Sequence, residues 1–127
     1  MKKRILIFDD DRDILTIVSF ILKSAGYEVF IHENCIDIVQ KLREFHPNLV
    51  MMDNKIPTEG GIKSTQLIKA TEDLKHTPVI FFSANSEVKR LANEAQADYF
   101  IEKPFEADDL LAMVSKALDH SSASIQG

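Results

Sequence analysis

Three aspartates in a row, Asp9-Asp10-Asp11, stop the apolar run Ile5–Phe8, and Asp53 ends a second run, Leu49–Met52, with Pro57 four residues on. Asp is depleted in strands and costly to bury unpaired, so propensity alone does not put one at the end of a fully apolar strand. Two more polar groups close later runs: Ser83 follows Val79–Phe82, and Lys103-Pro104 follows Tyr99–Ile101 with Glu102 between. Carboxylates gathered within about 4 Å repel by on the order of 4 kcal/mol per pair at an effective dielectric of about 20. A hard divalent cation relieves that repulsion. Mg²⁺ takes octahedral oxygen ligands, keeps several waters and is held by one or two carboxylates together with phosphate oxygens. The Ser83 hydroxyl and the Lys103 ammonium are a hydrogen-bond donor and a point charge for such oxygens. Collected at one place, Asp9, Asp10, Asp53, Ser83 and Lys103 would align a phosphoryl group with Asp53. Carboxylate attack on phosphorus gives an aspartyl phosphate.

The elements needed to collect them are legible in the hydrophobic pattern. After Ile5–Phe8, a strand, Ile14, Leu15, Ile17, Val18, Ile21 and Leu22 recur at helical spacing, and Gly26 stops that helix. Tyr27 to His32 alternates in the manner of an edge strand. A weaker helix follows, with Ile36, Val39 and Leu42 on one side, ending before Pro47. Leu49–Asp53 is the third strand. Beyond the turn Pro57-Thr-Glu-Gly-Gly61 a short helix spans Ile62–Ala70, and Val79–Phe82 is the fourth strand. Asn85 or Ser86 caps a helix marked by Val88, Leu91, Ala92 and Ala95. Tyr99–Ile101 is a short fifth strand, and Leu110, Leu111, Met113, Val114, Ala117 and Leu118 mark a last helix with Glu106, Asp108 and Asp109 at its start. Strands alternating with helices make an α/β domain with a parallel sheet and right-handed crossovers. The three wholly apolar strands belong in the middle and the second and fifth at the edges. A doubly wound sheet of order 2-1-3-4-5, flavodoxin-like, satisfies this, and its switch point lies between strands one and three. Asp9, Asp10 and Asp53 converge there. Residues 1–119 form the domain, and 120–127, small and polar, read as a flexible tail or linker stub.

Composition narrows the function classes. A chain of 127 residues suits one domain that buries roughly two thirds of its unfolded surface. Cys35 is the only cysteine, so no intrachain disulfide forms, and it reads as a small helical hydrophobe. A net charge of −5 with no basic stripe argues against direct nucleic-acid binding. Met1-Lys-Lys-Arg4 has the charge of a signal n-region, but the apolar run behind it is cut short by aspartates, so neither a signal peptide nor a membrane span is expected. The expected location is the cytoplasm. His32, His46, His76 and His120 show no ligand spacing and read as surface residues.

Taken together these motifs make the chain closely resemble the receiver domain of two-component response regulators, from Lys3 to about Leu118. The matching residues are Asp9-Asp10, Asp53 with Pro57 and Gly61, Ser83-Ala84, and Lys103-Pro104-Phe105. The resemblance implies that Asp53 accepts a phosphoryl group from a phosphohistidine on a sensor histidine kinase or histidine phosphotransfer protein. It implies that Asp10, Asp53 and the main-chain carbonyl of Lys55 ligate Mg²⁺, with Asp9 acting through water. Ser83 and Lys103 would hold the phosphoryl oxygens, Phe100 would be the switch aromatic following Ser83, and Lys103-Pro104 would be cis. Lys55 and Asn85 occupy positions that in the family tune the phosphoryl lifetime. On this reading the protein is no enzyme beyond its own phosphorylation and dephosphorylation. It switches the face of the fourth helix, fifth strand and fifth helix for an unknown downstream protein, as a monomer or weak dimer. The chain departs from the family at Gln96, where a glycine is usual, and at Thr58-Glu59-Gly60. Tyr99 and Met113 fill two charged positions of the family's homodimer. Two alternatives come from other classes. A haloacid-dehalogenase-type phosphatase would use Asp9 and Asp11 but leaves Asp53-x-x-x-Pro57 and Lys103-Pro104 unexplained; a pseudo-receiver would bind partners without phosphorylation.

Overall fold

The structure, a computed structural model, describes residues 2–56 and 60–126, the last seven by their backbone alone; expectations placed on Pro57, Thr58, Glu59 and the His120 side chain lie outside the described residues. Among these residues, five strands alternate with five helices. They are β1 (Arg4–Phe8), α1 (Arg12–Ser24), β2 (Glu28–His32), α2 (Ile38–Phe45), β3 (Leu49–Asp53), α3 (Gly60–Ala70), β4 (Val79–Ser83), α4 (Val88–Ala95), β5 (Tyr99–Glu102) and α5 (Ala107–Gln126). The sheet is parallel throughout, in the order β2-β1-β3-β4-β5 expected from the sequence.

Strand alternation divides the apolar residues between two layers. Ile5, Ile7, Leu49, Met51, Ile80 and Phe82 pack with Leu15, Val18 and Leu22 of α1 and Leu110 and Val114 of α5. Leu6, Phe8, Val50, Met52, Val79 and Phe81 pack on the other face with residues of α2, α3 and α4. Both faces of β3 and β4 are covered along their whole length, which is why those strands read as unbroken apolar runs. Each fully buried large aliphatic side chain contributes about 1.5–3 kcal/mol, enough to fix the register against a one-residue slip. In that register Phe8 pairs with Met52, Asp53 with Phe82 and Ser83 with Glu102. The residues just past the strand ends therefore fall along one edge.

Several boundaries differ from the sequence reading for local reasons. The second helix begins at Ile38. Asn34 Oδ1 accepts the Ile36 amide at 2.9 Å, which holds the preceding segment in a turn, and Asp37 adopts a left-handed conformation with φ 54°. Cys35 thus precedes the helix instead of lying in it; it is buried against Met52, Sγ to Sδ 3.8 Å. Ile36 points to solvent and Ile38 takes its place in the core, while Leu42 is buried and Val39 packs against the core as expected. Asn85 does not cap α4. Its Oδ1 accepts the Glu87 amide at 2.8 Å within the turn before the helix, which starts at Val88 with no side-chain cap. At the other end Gln96 adopts φ 67° itself, its amide reaching the carbonyls of Ala92 and Asn93. α5 continues as helix to Gln126, past the expected boundary at residue 119, because no Gly or Pro interrupts it before Gly127. His32 is no plain surface residue: it is half-buried, its ring 5.5 Å from that of Phe8 and 5.6 Å from that of Phe45, and its Nε2 is buried without a hydrogen-bond partner.

Candidate phosphoryl-acceptor site

Each strand of the central trio delivers one polar group to the same edge. Asp9, the first residue beyond β1, is fully buried; its Oδ1 accepts the Asp11 amide at 3.0 Å and its Oδ2 meets Lys103 Nζ at 2.8 Å. Asp53 ends β3 at 5% exposure. Its Oδ1 lies 2.9 Å from the same Nζ, and its Oδ2 accepts the Lys55 amide at 3.1 Å. Ser83 ends β4, buried; its Oγ accepts the Asn85 amide at 3.1 Å and its carbonyl accepts the Lys103 amide at 2.8 Å. That last bond ties the β4 end to the β5–α5 loop, where the Lys103-Pro104 peptide is cis, as the resemblance implied. Lys103 reaches back across the edge to clamp two carboxylates from β1 and β3, with its Nζ also 4.6 Å from the centre of the Phe82 ring.

The electrostatics follow from burial and proximity. Burial pushes the Asp9 carboxyl above the usual carboxylate range, and the negative charge of Asp53 adds to that push. The Lys103 hydrogen bond, the Asp11 amide and the Lys103 charge act against it. Burial pulls the Lys103 ammonium down, but its hydrogen bonds to Asp9 and Asp53 and their charges outweigh that, and it ends above its ordinary value. Lys103 is therefore a fixed cation. Among the described residues, Asp9, Asp10 and Asp53 bring one carboxylate oxygen each within 4.8 Å of one another, and Asp10 is the exposed member. One ammonium against three carboxylates leaves an excess of formal negative charge. An all-oxygen donor set with one side open to solvent fits a hard, partly hydrated divalent cation.

Asp11 is accounted for differently. Its Oδ1 accepts the amides of Asp13 at 3.0 Å and Ile14 at 3.3 Å, so it caps α1 and stands outside the cluster of Asp9, Asp10 and Asp53. The remaining positions named from the sequence lie around the cluster. The Lys55 amide, not its exposed side chain, meets Asp53; the Asn85 side chain serves the β4–α4 turn while its amide holds Ser83. Phe100, opposite Phe81 on the edge strand, is 38% exposed. It lines a groove with Phe105 and Met113 between β5 and α5.

One contributor was named from the sequence without its reason, and another escaped it. Gly61 was matched as a motif residue, but its reason is steric: a Cβ there would lie 2.2 Å from the Asp53 carbonyl oxygen, and its amide donates to the Asn54 carbonyl at 3.1 Å. The Gly60-Gly61 doublet beside Asp53 was the available signal. Phe82 looked like one more core residue, and only its place immediately before Ser83 pointed toward the site.

Known proteins share this fold. A family model described as the response regulator receiver domain matches residues 5–115. The CAI-1 autoinducer sensor kinase/phosphatase CqsS of Vibrio cholerae is 32% identical over 117 residues, which make up 90% of this chain and 17% of that protein. The chain spans about half the length of several DNA-binding response regulators it also matches. A CheY-like response regulator receiver domain protein of Methanospirillum hungatei superposes with a TM-score of 0.86 at 29% identity, covering 98% of this chain and 99% of that one. The receiver domain of a sensor histidine kinase of Pseudomonas aeruginosa, solved with a magnesium ion coordinated in its active-site cleft, has the same fold with a TM-score of 0.86 at 23% identity, covering 94% of this chain and 99% of that one. The chain belongs to the response regulator receiver domain family of two-component signal transduction, in which acceptance of a phosphoryl group is the general function.

Proposed function

We propose that Asp53 of this chain is the phosphoryl acceptor, taking the group from a phosphohistidine of a sensor histidine kinase or histidine phosphotransfer protein. The observation that carries this is the clamp of Lys103 on Asp53 Oδ1 and Asp9 Oδ2 beside the three-carboxylate cluster. With Oδ1 on the ammonium and Oδ2 on the Lys55 amide, the Asp53 carboxylate is held in one orientation. An Asp53 oxygen forms a bond to phosphorus as the P–N bond breaks; the imidazole nitrogen keeps that electron pair and is protonated. Asp10, Asp53 and the Lys55 main-chain carbonyl would hold Mg²⁺, with Asp9 acting through water, and the bound ion supplies positive charge for the phosphoryl oxygens. Lys103 would supply a second positive charge from its place on Asp9 and Asp53. Ser83, an acceptor from Asn85, retains a hydroxyl proton to donate to a phosphoryl oxygen.

Phosphorylation would then draw Ser83 toward the acceptor and bias Phe100 from its exposed position inward, repacking the α4–β5–α5 face for a downstream protein. Lys55 and Asn85, flanking the acceptor and Ser83, would set the access of attacking water and hence the lifetime. The chain would act as a monomer or weak dimer in the cytoplasm; among the described residues no helix is long and apolar enough to cross a membrane.

The test is intact-protein mass after incubation with acetyl phosphate and Mg²⁺, or with a phosphorylated histidine phosphotransfer protein. Gain of one phosphoryl group is expected for the parent and is lost in Asp53→Asn and with a metal chelator. An Asp53→Asn protein that gains the group as fast as the parent sinks the assignment.

A further inference from the structure

The chemistry just proposed depends on where the Lys103 ammonium rests, and its stem does not settle that. Lysine ends in a compact point charge on four rotatable carbons, so its position is set by what it meets. Two contacts are the Asp9 and Asp53 oxygens at 2.8 and 2.9 Å. Both belong to carboxylates that the reading above gives to other work, Asp53 above all, because phosphorylation replaces one of its oxygens as a partner. The third contact is apolar in name only. The Lys103 Nζ lies 4.6 Å from the centre of the Phe82 ring, within the range where the negative face of an aromatic attracts a cation.

Phe82 is suited to be a fixed support. It is wholly buried, and it is paired on one side with Asp53 and on the other with Ile101, so the register of three strands holds it. Its neighbour in sequence, Ser83, accepts the Lys103 amide on its own carbonyl. The backbone of Lys103 and the end of its side chain are thus both referred to the tip of β4. An aliphatic side chain at 82 could also be buried there but would present no negative face to an ammonium whose side chain is only 14% exposed.

We propose that Phe82 is a positioning residue for Lys103, the face of its ring holding the ammonium between Asp9 and Asp53 where a phosphoryl oxygen arrives. The inference rests on the phosphoryl-acceptor reading for its consequence but not for its geometry, and the test separates the two.

In the full chain, Phe82 is replaced by 4-fluoro-, 3,5-difluoro- and 3,4,5-trifluorophenylalanine, which drain the ring face of charge with little change in shape. The first measurement is the chemical shift of the Lys103 ε-methylene protons, which a ring face displaces upfield. Stepwise return toward the shift of an unhindered lysine with each fluorination is expected; a shift that stays put across the series, or is not upfield in the parent, overturns the proposal. The second measurement is the initial rate of phosphoryl uptake from acetyl phosphate with Mg²⁺. A graded loss reaching roughly tenfold in the trifluoro protein is expected, equivalent to about 1.4 kcal/mol. An unchanged rate overturns the positioning role. If even the parent takes up no phosphoryl group from any donor, the acceptor reading fails while the shift series still decides the contact.

Discussion

Replacing Gly61 by alanine probes how tightly the first turn of α3 is seated on the acceptor strand. The added Cβ would lie 2.2 Å from the Asp53 carbonyl oxygen, 2.9 Å from the Asn54 Cα and 3.0 Å from the Asp53 carbonyl carbon. All three are backbone atoms, so no side chain can swing aside. Merely reaching 3.0 Å from the oxygen means opening the contact by about 0.8 Å, which drives the end of β3 and the start of α3 apart and strains the bond from the Gly61 amide to the Asn54 carbonyl. Overpacking of this kind costs about 1–3 kcal/mol and a compromised hydrogen bond about 1 more, so a loss of roughly 2–4 kcal/mol is expected. Gly60→Ala is the control. Its φ of 80° strains any L residue, but a Cβ there meets nothing within 4 Å, so its cost is limited to about 1–2 kcal/mol of backbone strain. Urea unfolding of both variants, together with phosphoryl uptake from acetyl phosphate, reads the difference. Gly61→Ala should lose more stability than Gly60→Ala and also slow uptake, because the displaced backbone carries the Asp53 carboxylate. If both variants lose the same stability and accept phosphate at the parent's rate, the close approach does not position the acceptor.

Three further outcomes follow from other parts of the fold. Lys69→Met removes an ammonium that reaches Asp98 at 2.6 Å and the carbonyls of Thr77 and Lys75 at 2.8 and 3.2 Å; a loss of about 2–3 kcal/mol is expected by denaturant titration, with no effect on metal binding. Gln96→Gly relieves a non-glycine residue at φ 67°, and a gain of about 0.5–1 kcal/mol should appear as a raised Tm. Burial, helped by the charge of Lys41, lowers the His32 pKa, so the folded protein binds this proton less well than the unfolded chain. The resulting stabilisation is complete above about pH 6.5, the unfolded value, and is lost as pH falls below it; His32→Phe should therefore lose less stability than the parent between about pH 7 and pH 5.

How much of this was legible in the sequence depended on whether a signal was local or pairwise. The runs ending at Asp9, Asp53 and Ser83 announced themselves, because a strand covered on both faces is apolar throughout and a polar group at its end stands out. Strand order followed from which runs were mixed. Helix starts fared worse: Asn85 and Ile36 sit in turns held by side chain to backbone bonds, and such turns look like helix caps when only composition is read. Gln96 is a different case. A residue of ordinary type adopts φ 67° at the end of α4, where the buried Ala92 and Ala95 hold the last turn against the core. The steric reason for Gly61 and the ring beneath Lys103 went unread for a plainer reason, since each is a distance between atoms, which composition and periodicity do not carry.

Cys35 offers a clock already built into the molecule. It is 2% exposed, outside any helix and in sulfur contact with Met52, one residue before the acceptor. A thiol reagent reaches it only when the segment before α2 lifts from β3, so the alkylation rate in the native protein counts those excursions directly. Followed with and without an acyl phosphate on the neighbouring strand, one mass-spectrometric reaction would time whether loading the site quiets or loosens the half of the sheet that faces away from α5.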